Sequence, residues 1–205
     1  MTRAALVVWL VALAGPLSAA EPKVIFEDRF TGKLADGWVW LKQDPKSWRL
    51  RDGALELRIL PQQVNILART LPDPADGPFA VEMTVTNVPQ LQRQYEQVGF
   101  FWYADGKPGP KFVKEMIDGT VYVFPGKKPA AEATVGMRLV VDGKNYTAQY
   151  RPGGKGAYQP AFTAPVPPAE KGKLQVAVTC FHGPTDAEHW VRITAFRIVR
   201  LPASR

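Results

Sequence analysis

The chain has 205 residues, of which 46% are hydrophobic, and its formal net charge is +7 from 26 basic and 19 acidic side chains. This length suits one domain, and the single cysteine excludes an intramolecular disulfide. Because the basic residues are scattered without a dominant cluster, the charge favours a basic surface over a nucleic-acid partner. A sharper interpretation of the same charge is attraction to an anionic polymer or envelope.

The first twenty residues predict a secretory signal peptide. Arg3 precedes an apolar run over residues 4–14, Pro16 breaks the run, and small residues end at Ala20. The run is shorter than the roughly 20 apolar residues that a membrane span requires. We therefore expect cleavage after Ala20, export to the periplasm or the exterior, and one mature domain over residues 21–205 without a membrane span.

The remaining sequence consists of short runs with alternating hydrophobicity, separated by turn signals. Asp52-Gly53 stands between two such runs and predicts a type I′ hairpin, and five further Asp-Gly pairs begin at positions 36, 76, 105, 118 and 142. No long helical periodicity appears. Many short strands with regular turns predict an all-β sandwich or barrel. The alternating runs cover residues 79–86, 97–103, 111–118, 120–124, 137–141, 144–151, 174–181 and 190–201.

Several segments carry a resemblance to a known family. The main signature is Phe26–Phe30, Trp38-Val39-Trp40, Asp44-Pro45, Trp48–Leu50 and Asp52–Leu57, and weaker matches follow at residues 65–69, 96–100, 112–114 and 196–198. Together they resemble the DUF1349 group of concanavalin A-like lectin/glucanase domains, which is similar to the C-terminal sandwich of family 43 β-xylosidases. The resemblance implies a two-sheet antiparallel jelly-roll β-sandwich, with a concave face or rim that meets carbohydrate.

The resemblance also raises the question of a bound metal. Related sandwiches can hold a structural calcium ion with an acidic residue just before the final Phe-Arg-Ile, where this chain has Ala195. Asp28 remains as a candidate ligand, but calcium needs six to eight oxygens and the partner carboxylate is missing. Cys180, His182 and His189 are of metal-ligand type, but their spacing fits no zinc pattern. We therefore predict no metal and no cofactor, with Asp28 as the exception to test.

Sugar binding needs flat apolar faces together with groups that hydrogen-bond to hydroxyls. Our hypothesis is a concave groove with His182 at its rim, lined by Trp102, Glu115, Tyr122, Lys114 and Gln97. The alternative is that most of these aromatic residues fill the core between the sheets, because large aromatic residues are mostly buried.

We therefore expect an exported, monomeric domain that recognises a carbohydrate or polysaccharide without cleaving it. Glycoside hydrolysis needs two carboxylates, and Glu56, Glu82, Glu96 and Glu115 each stand alone on their predicted strands. The alternative is an enzyme similar to the 3-keto-disaccharide hydrolases (DUF1080). That family shows an F-x-G-K…W…W-x-x-x-D-G-x-L pattern, which Phe30–Lys33 and the stretch to Leu55 fit loosely. A third possibility is an envelope scaffold, which would show a flat apolar patch and no groove.

Overall fold

A computed structural model describes residues 22–202. The predicted signal peptide lies outside these residues. The strands are β1 (Lys23–Asp28), β2 (Trp38–Lys42), β3 (Trp48–Arg51), β4 (Ala54–Arg58), β5 (Ile66–Thr70), β6 (Phe79–Val88), β7 (Gln97–Ala104), β8 (Lys107–Ile117), β9 (Thr120–Phe124), β10 (Lys128–Pro129), β11 (Thr134–Asp142), β12 (Asn145–Pro152), β13 (Gln159–Pro165), β14 (Leu174–Phe181) and β15 (Trp190–Arg200). A short 3₁₀ segment spans Pro74–Asp76. Within residues 22–202, no helix is both long and apolar enough to cross a membrane.

The strands form two antiparallel sheets. Sheet A has the order β13-β12-β11-β6-β15-β4-β3, with β1 also paired to β15. Sheet B has the order β10-β9-β8-β7-β14-β5-β2. The two-sheet antiparallel β-sandwich predicted from the sequence is thus confirmed. Neighbours in each sheet are often distant in the chain, as with β7 and β14, so the sandwich depends on long-range pairing.

Asp-Gly turns close the hairpins that the sequence pattern predicts. Asp52 and Gly53 have φ values of 49° and 67°, and this pair joins β3 to β4. Positive φ at both central residues is the requirement of a type I′ turn, so that prediction is confirmed. Asp105-Gly106 and Asp118-Gly119 also have positive φ at both residues, and they join β7 to β8 and β8 to β9.

The main core fills the space between the sheets. Val81 and Met83 of sheet A belong to the same buried cluster as Phe100 and Trp102 of sheet B. Cys180 lies in this cluster, and its burial raises the pKa of the thiol. Cys180 is therefore a buried strand thiol. Trp40 and Trp48 are partly buried against the cluster, with their ring centroids 4.9 Å apart.

Sheet B has a second apolar layer on its outer side, away from sheet A. The layer consists of Ile66, Ala68, Phe101, Tyr103, Val113 and Ala177, with Phe124 and Phe181 packed partly buried against it. An outer sheet face that meets only water normally alternates to polar residues. This face instead carries apolar side chains, four of which are aromatic.

Candidate functional site

A polar cluster interrupts the apolar outer face of sheet B. Gln97 of β7 lies opposite Glu115 of β8, and Glu115 lies opposite Tyr122 of β9. Phe181 of β14 lies opposite Gln97 on the other side. These pairings give one continuous row across four strands, with two polar side chains between two aromatic ones. We call Gln97, Glu115 and Lys111 the polar cluster.

Lys111 holds the polar cluster together. Its Nζ donates to Gln97 Oε1 at 2.8 Å and to the two carboxylate oxygens of Glu115 at 3.2 and 3.0 Å. Gln97 Nε2 donates to Glu115 Oε1 at 3.0 Å. Lys111 and Glu115 lie on the same side of β8 with Val113 between them, so the ion pair covers that buried valine. The cluster is therefore held rigid by its own hydrogen bonds, and Gln97 is buried within it.

The cluster is only partly open to solvent. The Lys111 side chain is 27% exposed, whereas that of Glu115 is 5% exposed. Lys111 Nζ also lies 5.2 Å from the centroid of the Phe124 ring, a cation–π distance. Tyr122 and Phe124 are half-buried on β9. A ligand would therefore reach the polar atoms through Lys111 and would meet aromatic rings on the same strand pair.

A cleft adjoins one end of the row. It measures about 200 Å³ and is lined by Pro61, Arg93, Gln94, Tyr95 and His182. Tyr95 is 51% exposed, and its backbone oxygen accepts a hydrogen bond from Gln97 Nε2 at 2.9 Å. Tyr95 and His182 have φ values of 66° and 62°, an uncommon conformation for residues other than glycine. Such conformations are often found where the fold holds a side chain for function.

Buried contacts fix the loop that carries Tyr95. Glu96 is fully buried, and its Oε1 lies 2.7 Å from His189 Nδ1. Its other oxygen accepts the backbone N–H of Gln92 at 2.8 Å and that of Arg93 at 3.2 Å. Arg93 in turn donates to Gly183 O at 2.8 Å, next to His182. The two sides of the cleft are therefore connected through buried and half-buried polar contacts.

The structure corrects the predicted groove at two positions. Trp102 is fully buried between the sheets, with its ring centroid 4.9 Å from that of Tyr146. Lys114 is also fully buried, on the opposite side of β8 from Glu115. Side chains alternate along a strand, so neither residue can line a surface on the side of Glu115 and Gln97. Of the predicted set, Gln97, Glu115, Tyr122 and His182 lie along one row and its adjoining cleft.

Lys114 instead connects the sandwich interior to two loops. Its Nζ donates to Asn87 Oδ1 at 3.0 Å, Gln90 Oε1 at 2.8 Å, Glu132 O at 2.7 Å and Ala133 O at 3.0 Å. Burial lowers the pKa of Lys114 to about 7, against the opposing coulombic attraction of Glu132 and Glu96. The four oxygen acceptors favour the ammonium form. Its role is structural.

Asp28 does not fit the calcium site that the family resemblance raises. Its Oδ1 accepts the backbone N–H of Phe30 at 2.7 Å. Its Oδ2 accepts from Ala35 N and Trp38 Nε1, both at 2.8 Å. A carboxylate surrounded by N–H donors is turned toward hydrogen atoms and not toward a cation. Asp28 instead fixes the β1–β2 connection and orients the Trp38 indole.

The cysteine and the two histidines do not converge. Cys180 Sγ contacts Arg58 O in the interior, His189 pairs with Glu96, and His182 is exposed beside the cleft. Within residues 22–202, no group of three or more His, Cys, Asp or Glu side chains has a geometry that could hold a metal ion.

Sequence reasoning missed Lys111, Tyr95, Phe124 and Phe181 as members of the site. Lys111 could have been found by parity, because residues 111 and 115 lie on the same side of one strand. Phe181 has the opposite parity to the core residues Val178 and Cys180 of its own strand. Tyr95 lies in a loop, where alternation gives no signal.

Comparisons with known proteins bear on the fold. No family model and no curated protein matches the chain, so the assignment to the DUF1349 group stays a prediction. Among solved structures, the chain is similar to the GH43 protein BlXynB from Bacillus licheniformis, with a TM-score of 0.67 and 17% identity over 85% of this chain and 39% of that one. A xylan beta-1,4-xylosidase from Bacillus halodurans C-125 gives a TM-score of 0.61 and 17% identity over the same shares.

A third similarity spans a complete chain. The carbohydrate recognition domain of Emp47p gives a TM-score of 0.58 and 13% identity, over 92% of this chain and 100% of that one. By contrast, this chain spans about two fifths of the length of the two bacterial proteins. At these identities the comparisons show the fold alone, which is a two-sheet antiparallel β-sandwich.

Proposed function

We propose that the outer face of sheet B binds a carbohydrate without cleaving it, in a protein exported to the periplasm or the exterior. The observation that carries this proposal is the row of Phe181, Gln97, Glu115 and Tyr122 across four strands. Aromatic rings pack against the apolar faces of a pyranose, and amide, carboxylate and ammonium groups hydrogen-bond to its hydroxyls. The likeness to a carbohydrate recognition domain supports this use of the fold.

The small number of acidic residues on this sheet supports binding over hydrolysis. Glu115 is the single acidic residue within the strands of sheet B. Glycosidases need two carboxyl groups, about 5 to 9.5 Å apart, on either side of the scissile bond. In addition, Lys111 and Gln97 already occupy both oxygens of Glu115. A carboxylate neutralised in this way suits hydroxyl recognition better than proton transfer.

The proposal predicts binding without products. The first experiment is a glycan array with residues 21–205, followed by calorimetry and product analysis on any neutral glycan that binds. Tyr122→Ala should weaken binding of that glycan about tenfold, because a stacking ring is worth on the order of 1 kcal/mol or more. Val24→Ala, which shortens an exposed apolar side chain of β1 in sheet A, is the control and should leave the affinity unchanged.

Three outcomes would contradict the proposal. Release of products would replace recognition by an enzymatic function and would require a second carboxylate from a loop. Equal losses from Tyr122→Ala and Val24→Ala would remove the binding site from sheet B. Silence across a broad array would favour an envelope scaffold with a protein partner.

A further inference from the structure

The outer face of sheet A carries a lattice of arginine and glutamate. Glu56 of β4 lies opposite Arg49 of β3 and Arg192 of β15. Arg49 Nε donates to Glu56 Oε2 at 2.5 Å, and Arg192 donates to the other carboxylate oxygen. Glu56 is 3% exposed, so the two guanidinium groups cover it. This group of three leaves one positive charge in excess.

A second group of the same composition lies further along the sheet. Glu82 of β6 lies opposite Arg138 of β11 and Arg197 of β15. Arg197 Nε contacts Glu82 Oε2 at 2.5 Å, and Arg138 Nε contacts Glu82 Oε1 at 2.9 Å. Arg192 and Arg197 face positions 86 and 82 of β6, four residues apart, which corresponds to about 13 Å along a strand.

Arg151 adds a positive charge that has no acidic partner among the described residues. Its guanidinium carbon lies 4.5 Å from the centroid of the Tyr158 ring, and that of Arg138 lies 5.3 Å away. Arg151 Nε and the nearby Gln149 Oε1 are buried polar atoms without a hydrogen-bond partner within residues 22–202. Unpartnered buried polar atoms are rare in native proteins and mark places where a further group is expected.

Donors also remain available on the paired arginines. The ion pairs of Arg49, Arg138 and Arg197 use the Nε atom, and each guanidinium carries four further N–H donors on its terminal nitrogens. A cavity of about 230 Å³ adjoins Arg49 and Arg192 and is also lined by Trp190. We use the name arginine face for the surface formed by Arg49, Arg138, Arg151, Arg192 and Arg197 together with Glu56 and Glu82. It carries an excess of three positive charges.

We propose that the arginine face binds an acidic polysaccharide whose sugars carry carboxylate groups. Guanidinium groups match carboxylates in shape, and on this face they already pair with two protein carboxylates. Trp190 and Tyr158 supply ring surfaces next to the charges, which a sugar polymer can use and an inorganic polyphosphate cannot. This site is separate from the row on sheet B and does not depend on it.

The test compares one polymer in two charge states. Polygalacturonate should bind residues 21–205 at low salt, and its methyl ester, which has the same backbone without charge, should bind at least about tenfold more weakly. Raising the ionic strength toward 1 M should weaken polygalacturonate binding steeply, because the Debye length falls to about 3 Å. Calorimetry or biolayer interferometry measures both effects.

Matched variants locate the site. Arg151→Gln combined with Arg197→Gln should reduce affinity for polygalacturonate about tenfold, while Glu82 keeps Arg138 as a partner. Lys107→Gln combined with Lys171→Gln removes the same charge from exposed positions outside the arginine face and should change affinity less than twofold. Thermal unfolding of both variants checks that each is folded.

The proposal is overturned by equal binding of the two polymers, by equal losses in the two double variants, or by a polyphosphate that binds as tightly as polygalacturonate. The last result would identify a general polyanion surface. Failure here leaves carbohydrate binding on sheet B untouched, since Tyr122→Ala tests that face with a neutral glycan.

Discussion

The two sides of sheet B use similar residue types for different purposes. On the inner side, Trp102 and Lys114 are fully buried, and Lys114 contacts four oxygen atoms of the protein itself. On the outer side, Lys111 remains 27% exposed and pairs with Glu115. The two lysines are three positions apart on β8, and three is an odd number, so they face opposite ways.

The difference shows what turns a residue into part of a candidate site. On the inner side, an indole packs in the core and an ammonium donates hydrogen bonds to buried oxygen atoms. The same chemistry on the outer side is organised by neighbours but keeps a path to solvent. Residue type alone therefore does not identify a sugar-binding position. The side of the sheet and the remaining exposure decide it.

The largest expected effect comes from Trp102. Trp102→Ala should lower the free energy of unfolding by about 3–5 kcal/mol, because it removes a fully buried ring from the core. Glycan affinity of the folded protein should stay within twofold of wild type. Urea unfolding and calorimetry well below the melting temperature measure the two quantities. If Trp102→Ala lost glycan affinity at a temperature where the variant is still fully folded, Trp102 would belong to the binding site.

Lys114 should give the next largest effect, with a dependence on pH. Lys114→Met leaves four oxygen acceptors without their donor and should lower the free energy of unfolding by about 2–4 kcal/mol. Because the folded pKa is about 7 and the ordinary value is 10.5, the unfolded state binds more protons between these values. The contribution of Lys114 to stability therefore rises with pH across that window and is constant below it.

Urea unfolding of wild type and Lys114→Met at pH 6, 8 and 9.5 checks this sign. The stability difference between the two proteins should grow from pH 6 to pH 9.5. Parallel stability curves would show that the four oxygens keep Lys114 protonated throughout, and the pH prediction would be wrong.

Much of the fold was predictable from local pattern. Asp52-Gly53 indicated its type I′ hairpin because few residue pairs accept positive φ at both positions. Alternation places Trp102 and Gln97 on opposite sides of one strand, although the predicted groove included both. What the pattern could not give was which side of β7 faces sheet A, because Phe101 and Tyr103 make the outer side as aromatic as the inner one.

The candidate site was predictable only in part for a related reason. The row of Gln97, Glu115 and Tyr122 depends on the pairing register of three strands. A shift of one residue would move each side chain to the other side of the sheet. Tyr95 and His182 depend on loop conformations with positive φ, which no alternation pattern reveals.

Glu115 should separate binding from stability on the outer side. Glu115→Gln keeps the shape of the side chain and removes the charge that pairs with Lys111. The free energy of unfolding should fall by about 1 kcal/mol, because Lys111 remains partly solvated. Affinity for a neutral glycan should fall about tenfold, since the network that orients Gln97 is lost. Affinity unchanged in Glu115→Gln would place the ligand elsewhere on the face.

We expect the smallest effect on stability and affinity from a substitution of Lys127, which lies at the edge of the site beside Tyr122. Its Nζ lies 5.5 Å from the Tyr122 ring centroid, at an exposed turn position with a φ of 47°. An exposed cation–π contact at this distance contributes little, and asparagine tolerates positive φ well. Lys127→Asn should therefore change the free energy of unfolding by less than about 0.5 kcal/mol and glycan affinity by less than twofold. A tenfold loss of affinity would mean that Lys127 contacts the glycan directly, and the site would then extend past Tyr122 toward β10.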